Sequence, residues 1–186
     1  GPPRPSPSSG RVAGRRGRGD CLGRRRVQVQ RSDGPTDALN MLPLEIQPDV
    51  LKRMTSRAEA AFPNECCGFF YGAEEEVKRA ITATTAVDNH KEGDQRRRFE
   101  ISDLDYMKAE RHAAKEGLTL LGVYHSHPLH PAIPSEYDLA VAMPFFSYLI
   151  VSVQPEGTAH VRSWQLDDSR CFQEESLVTL PEAWRV

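Results

Sequence analysis

GVYHSHPLHPAIPSEYDLA, residues 122–140, packs three histidines, two serines and an aspartate behind an apolar run. His125 and His127 stand two apart. In a strand, side chains at i and i+2 share a face, so both imidazoles can reach one ion, with Zn–N distances of about 2.0–2.1 Å. Pro128, Pro131 and Pro134 follow and stiffen the next loop. Ser135 opens a helix, and Asp138 falls one turn in, where its carboxylate can turn back as a third ligand. Three protein ligands and a water form the coordination of a catalytic zinc; a structural zinc closes its sphere with a fourth side chain. No fourth cysteine or histidine stands at a suitable spacing. Ser135 and Asp138 also read as an ordinary helix cap that needs no metal.

These residues need a scaffold, and the flanking pattern supplies one. LTLLGVYHSH (118–127) and FSYLIVSV (146–153) read as buried strands, and SEYDLAVAM (135–143) as a helix between them. Upstream, LPLEI (42–46) is a short strand, and PDVLKRMTSRAEAAF (48–62) a helix with Pro48 at its start. Val50, Leu51, Met54, Ala58 and Ala61 mark its apolar face. CGFFYG (67–72) is a strand, and the β-branched run 76–89 is one or two more. NHKEGDQRRR (89–98) is a polar loop. Ser102 and Asp105 predict a capping box for a helix reaching Glu116 and stopped by Gly117. HVRSWQL (160–166) is a further strand; the segment after Cys171 carries no clear pattern. Alternating strands and helices predict an α/β or α+β domain around a central sheet.

The spacing H-x-H-x7-S-x2-D resembles the JAMM motif of the MPN/JAB metalloproteases, in which an upstream glutamate precedes H-[S/T]-H-P-x6-S-x2-D. His125, Ser126, His127, Pro128, Ser135 and Asp138 match it position by position. The glutamate maps to Glu65 in PNECCGFFYG (63–72), which resembles the E-x-C-G-x-x-x-G stretch of small prokaryotic JAB peptidases through Glu65, Cys67, Gly68 and Gly72. The resemblance covers roughly residues 42–166. It implies a single MPN/JAB-like (cytidine-deaminase-like) α/β domain, a central mixed sheet flanked by helices. It implies one zinc ion with a bound water, held by His125, His127 and Asp138. Glu65 is implied as the general base, and Ser135 as a hydrogen-bond donor to the tetrahedral oxyanion. The activity implied is hydrolysis of a peptide or isopeptide bond at the C-terminal glycine of a ubiquitin-like or sulfur-carrier protein. Only about 26 residues separate Gly72 from Phe99, which favours a minimal catalytic domain over an elaborated subunit.

Composition narrows the alternatives. The net charge of −2 hides an asymmetry: residues 1–40 carry nine arginines against three aspartates, leaving the remainder near −8. An acidic body argues against nucleic acid as the partner, and against a RadC-like DNA-associated JAB domain. A non-catalytic MPN scaffold is the other alternative, disfavoured by an intact set of five residues. Zinc nucleoside deaminases need H-x-E and P-C-x-x-C elements, which are missing. The Gly-, Pro- and Arg-rich segment 1–40 is expected to be a disordered basic arm, a tag remnant or translated upstream sequence. The metalloprotease domain is expected over 41–175, with a tail at 176–186. No membrane span or secretory h-region is visible, and four cysteines with one adjacent pair form no disulfide framework, so a cytoplasmic location is expected. The oligomeric state stays open, a homodimer included. Cys67 reads as a core residue, the aromatics as core, and His90, His112, His130 and Arg96–Arg98 as solvated surface.

Overall fold

The computed structural model describes residues 42–182. The expected arm, residues 1–40, lies outside the described residues, as does the end of the 176–186 tail. The elements are β1 (Leu44–Ile46), α1 (Pro48–Ala61), β2 (Cys67–Glu74), β3 (Arg79–Val87), α2 (Asp103–Glu116) and β4 (Thr119–Pro128). They continue with α3 (Glu136–Val141), β5 (Ser147–Gln154), β6 (Gly157–Leu166), β7 (Phe172–Glu175) and β8 (Leu177–Thr179). All eight strands join one mixed sheet in the order β7-β6-β5-β4-β2-β3-β1-β8. This is the α/β architecture expected, with the helices packed on the faces of the sheet.

Two apolar clusters form because neighbouring residues of a strand point to opposite faces. Phe70, Tyr124, Leu149 and Val151 pack with Val50, Met54 and Ala58 of α1. Phe69, Tyr71, Val123 and Tyr148 pack with Ala109 and Ala113 of α2. Leu51 and Ala61, expected on the inner face of α1, are only partly buried against it. A fully buried side chain of this kind stabilises the fold by about 1.5–3 kcal/mol. Ser102 caps α2, its hydroxyl accepting from Asp105 N–H at 3.2 Å, and Gly117 ends the helix at φ 65°. That left-handed conformation suits glycine, which lacks a Cβ. Gly122 serves contact instead: a Cβ there would sit 1.9 Å from the Ser147 carbonyl oxygen, blocking the pairing of β4 with β5.

The segment after Cys171, unpatterned in the sequence, supplies both outermost strands. Ser176 alone separates β7 from β8, yet the two stand at opposite edges of the sheet. The sheet therefore curls until its edges approach. At that seam Arg79 of β3 forms a buried ion pair with Glu175 of β7, and Ser163 of β6 donates to the second Glu175 oxygen at 2.6 Å. Two expectations shift. Phe145 is 87% exposed and not core, because it sits in a tight loop at φ 69°. His112 is half-buried, its ring edge-on to Tyr71. Among the described residues no helix is long and apolar enough to cross a membrane.

Candidate metal centre

Strand β4 enters the site on the α2 face. Val123 packs in the apolar cluster, and His125 and His127 follow it at i+2 and i+4 on the same side. Both rings are buried, and their Nε2 atoms face each other at 3.1 Å. Asp138 arrives from the first turn of α3. Its two carboxylate oxygens lie 3.2 Å from His125 Nε2 and 3.4 Å from His127 Nε2. The three residues are the cluster in the described chain able to hold an ion, their ligand atoms all within 4.8 Å of one another.

The residues present fit a tetrahedral metal. Ligand bonds of 2.0–2.1 Å at tetrahedral angles put neighbouring ligand atoms about 3.3 Å apart, close to the 3.1, 3.2 and 3.4 Å seen here. The tautomers fit too. His127 Nδ1 lies 2.9 Å from the Pro131 carbonyl oxygen, a contact that is favourable when Nδ1 carries the hydrogen. Nε2 is then left with its lone pair turned inward, as metal-ligating histidines are usually held by a second partner. His125 stacks on Phe99 with ring centroids 4.4 Å apart, and its Nδ1 is buried without a hydrogen-bond partner. Burial holds the His125 pKa below its ordinary value, favouring the neutral ring a cation needs. Burial also works against charge on Asp138, but His125, His127 and the Ser135 N–H override it and hold the carboxyl ionised, well below the usual range.

Ser135 and Asp138 form a full capping box. Asp138 N–H donates to Ser135 Oγ at 3.2 Å, while Ser135 N–H and Oγ donate to Asp138 Oδ2 at 2.6 and 2.7 Å. The cap and the ligand arrangement, alternatives from sequence alone, coexist: one carboxylate starts the helix and faces both imidazoles.

Glu65 reaches the site through register. Cys67 pairs with His125, and Cys66 and Ser126 exchange hydrogen bonds, Cys66 N–H to Ser126 Oγ at 2.8 Å and Ser126 N–H to the Cys66 carbonyl at 3.1 Å. Continuing that antiparallel ladder sets Glu65 beside His127. Its side chain lines a cavity of 460 Å³ together with His127, His130, Ser135, Tyr137, Arg97 and Arg98. Burial pushes its pKa up to about 8, against the pull of His127 and Arg98. A carboxylate poised near neutrality suits proton transfer. Cys66 and Cys67 are free and buried, and burial raises the Cys67 thiol to about 12, in keeping with a core role.

Of the five residues singled out in the sequence, His125 and Asp138 are buried against His127, and Glu65, His127 and Ser135 line one cavity. Arg97, Arg98 and His130, read as solvated, line it as well. Phe99 carried no signal beyond being the first apolar residue after the polar loop.

The family model for prokaryotic homologs of the JAB domain matches residues 47–167. The chain belongs to this JAB family. A probable TtuB-protein conjugate cleaving protease of Thermus thermophilus is 40% identical over 77 residues, 41% of this chain and 47% of that protein. The chain thus spans about half the length of that relative. A desampylase of Pyrococcus furiosus is 28% identical over 114 residues, 61% of this chain and 75% of the relative. Among solved structures, a Desulfitobacterium hafniense protein superposes with a TM-score of 0.67 at 26% identity, covering 76% of this chain and 95% of that one. The matched region of this JAB protein contains Glu65, the HSHP strand and Asp138.

Proposed function

We propose that this JAB protein is a zinc-dependent metalloprotease of the isopeptidase type, acting in the cytoplasm through a catalytic domain over about 41–175. It hydrolyses a peptide or isopeptide bond at the C-terminal glycine of a ubiquitin-like or sulfur-carrier protein. The observation that carries this reading is the convergence of His125, His127 and Asp138 beside the buried Glu65. The relatives named for cleaving TtuB-protein conjugates and for desampylase activity support the substrate class.

His125, His127 and Asp138 would hold the ion. When bound, zinc polarises a scissile carbonyl and brings the pKa of a water down toward about 7. Glu65 takes a proton from the attacking water and carries it to the departing amine. Its burial favours the protonated form between those two transfers. Ser135 donates to the oxyanion of the substrate once its hydroxyl turns from Asp138 Oδ2 into the cavity, which opens one bond of the cap. The Pro131 carbonyl keeps the His127 ring from rotating as charge develops.

The test is incubation of the zinc-loaded protein with glycine-terminated ubiquitin-like fusions and sulfur-carrier conjugates, read by mass spectrometry. Cleavage after the terminal glycine is expected in the parent protein and not in Glu65→Gln. Intact substrates in every reaction, with stoichiometric zinc bound, sink the reading.

A further inference from the structure

The loop between β3 and α2 carries RRR at 96–98 and has no large apolar side chain before Phe99. It is nonetheless tightly held. Asn89 uses all four hydrogen-bonding positions of its side chain. Nδ2 donates to the carbonyl oxygens of Glu65 at 3.1 Å and Arg98 at 3.0 Å. Oδ1 accepts from the N–H groups of Lys91 and Glu100, each at 3.0 Å. Gln95 adds a second latch: Nε2 donates to the carbonyls of Asn89 at 3.0 Å and Lys91 at 2.9 Å, and its own carbonyl receives Glu65 N–H at 2.7 Å. Phe99, the residue after Arg98, is pinned against the His125 ring. The backbone that presents Arg98 is therefore tied to the residue that presents Glu65.

Arg97 and Arg98 line the same cavity as Glu65, His127 and Ser135. The Arg98 guanidinium lies over the Tyr137 ring, 4.7 Å from its centroid. A cation–π contact of this kind restrains the guanidinium and leaves N–H groups free to donate. Neither arginine makes an ion pair with a described residue, although Glu136 lines the cavity and Asp94 and Glu100 lie either side of the arginine run. Two unpaired guanidinium groups held at a catalytic cleft ask for an anion. Planar, paired N–H donors match a carboxylate best.

We propose that Arg97 and Arg98 form a carboxylate-binding subsite on the amine side of the scissile bond. The inference rests on the peptidase reading above. On the acyl side the substrate ends in glycine, which brings no side chain, so the nearest carboxylate belongs to the departing amine. It is the free α-carboxylate of a single released residue, or an acidic side chain beside an acceptor lysine. The subsite thus biases the enzyme toward leaving groups that carry negative charge next to the cleaved amide.

The test uses the full zinc-loaded chain and four probes. Two are ubiquitin extended by one alanine after its terminal glycine, as the free acid and as the carboxamide. Two are ubiquitin–lysine isopeptides, with and without an aspartate next to the lysine. A charge-assisted pair is expected to raise kcat/KM about 10–100-fold for the anionic member of a pair. In Arg97→Ala and Arg98→Ala that ratio is expected to fall toward one, and Arg98→Lys to restore it only in part, since a point charge lacks the fork. Preference in the alanine pair assigns the α-carboxylate; preference confined to the isopeptide pair assigns the acidic neighbour. Equal rates within both pairs in the parent protein overturn the subsite, as do arginine variants that slow both members by one factor. Binding of the same probes to Glu65→Gln gives the comparison without turnover. There, equal affinities within both pairs overturn the subsite even if no probe is cleaved, and a preference for the anionic member of either pair upholds it where the peptidase reading has failed.

Discussion

Two buried polar clusters lie in one sheet, and they are built to opposite rules. At the seam, Arg79, Glu175 and Ser163 consume one another: the guanidinium meets one carboxylate oxygen and the hydroxyl the other. At the end of β4, two imidazoles and a carboxylate converge with like atoms facing, and His125 Nδ1 is left unmatched. Burial without a partner costs free energy. The seam avoids that cost, because every charge has its complement. The β4 cluster retains it at Nδ1, and its two Nε2 atoms face each other in an arrangement that a cation would relieve. Satisfaction suits a structural role for the first cluster, and the inward-facing ligand atoms of the second suit the metal proposed for it.

Substitutions separate the two. Asp138→Ala is expected to have the largest effect, removing bound zinc by elemental analysis and more than about 10³-fold of turnover, given that even supporting groups of a metal site are worth 10–100-fold in affinity. Retained stoichiometric zinc would remove Asp138 from the ligand set. Glu65→Gln should lower kcat by about 10²–10⁴-fold while zinc content stays whole. Arg79→Ala strands Glu175 and should cost about 3–5 kcal/mol in denaturant unfolding, with kcat per folded molecule unchanged. A loss of kcat without a loss of stability would erase the distinction between the clusters.

The pH dependence sharpens it. Burial raises the Glu65 pKa to about 8, so the folded protein holds a proton there that the unfolded chain releases near the ordinary carboxylate value. Its penalty is absent below about pH 4.5, grows as pH rises, and is complete above about pH 8. The metal-free protein should therefore lose stability over that window, by a few kcal/mol in order of magnitude, and Glu65→Gln should lose less. Identical slopes in the two proteins would refute the burial of this carboxyl. At the small end, Glu174→Ala breaks an exposed pair with Arg162 and should shift stability by no more than about 1 kcal/mol.

Much of the β4 cluster is legible in the sequence because its members are local. His125, His127, Ser135 and Asp138 fall within fourteen residues, and strand and helix periods place them. Glu65 is further off, and only the resemblance to a known motif singled it out. The β2–β4 register then explains its place. The seam was invisible for the converse reason. Arg79 and Glu175 lie 96 residues apart, and β7 and β8 have four and three residues, too few for any period to register. The arginine loop misled through composition: a run of charged residues predicts solvation, but Asn89 and Gln95, two unremarkable amides, order it by bonds to backbone groups that no pattern encodes.

The placement of β8 has a consequence for biosynthesis. Its partner β1 leaves the ribosome well before β8 does. Until then the rim of the sheet stands open, an invitation to pair with a neighbouring nascent chain. Emergence of β8, more than collapse of the apolar interior, is the moment at which this edge becomes safe from its own kind.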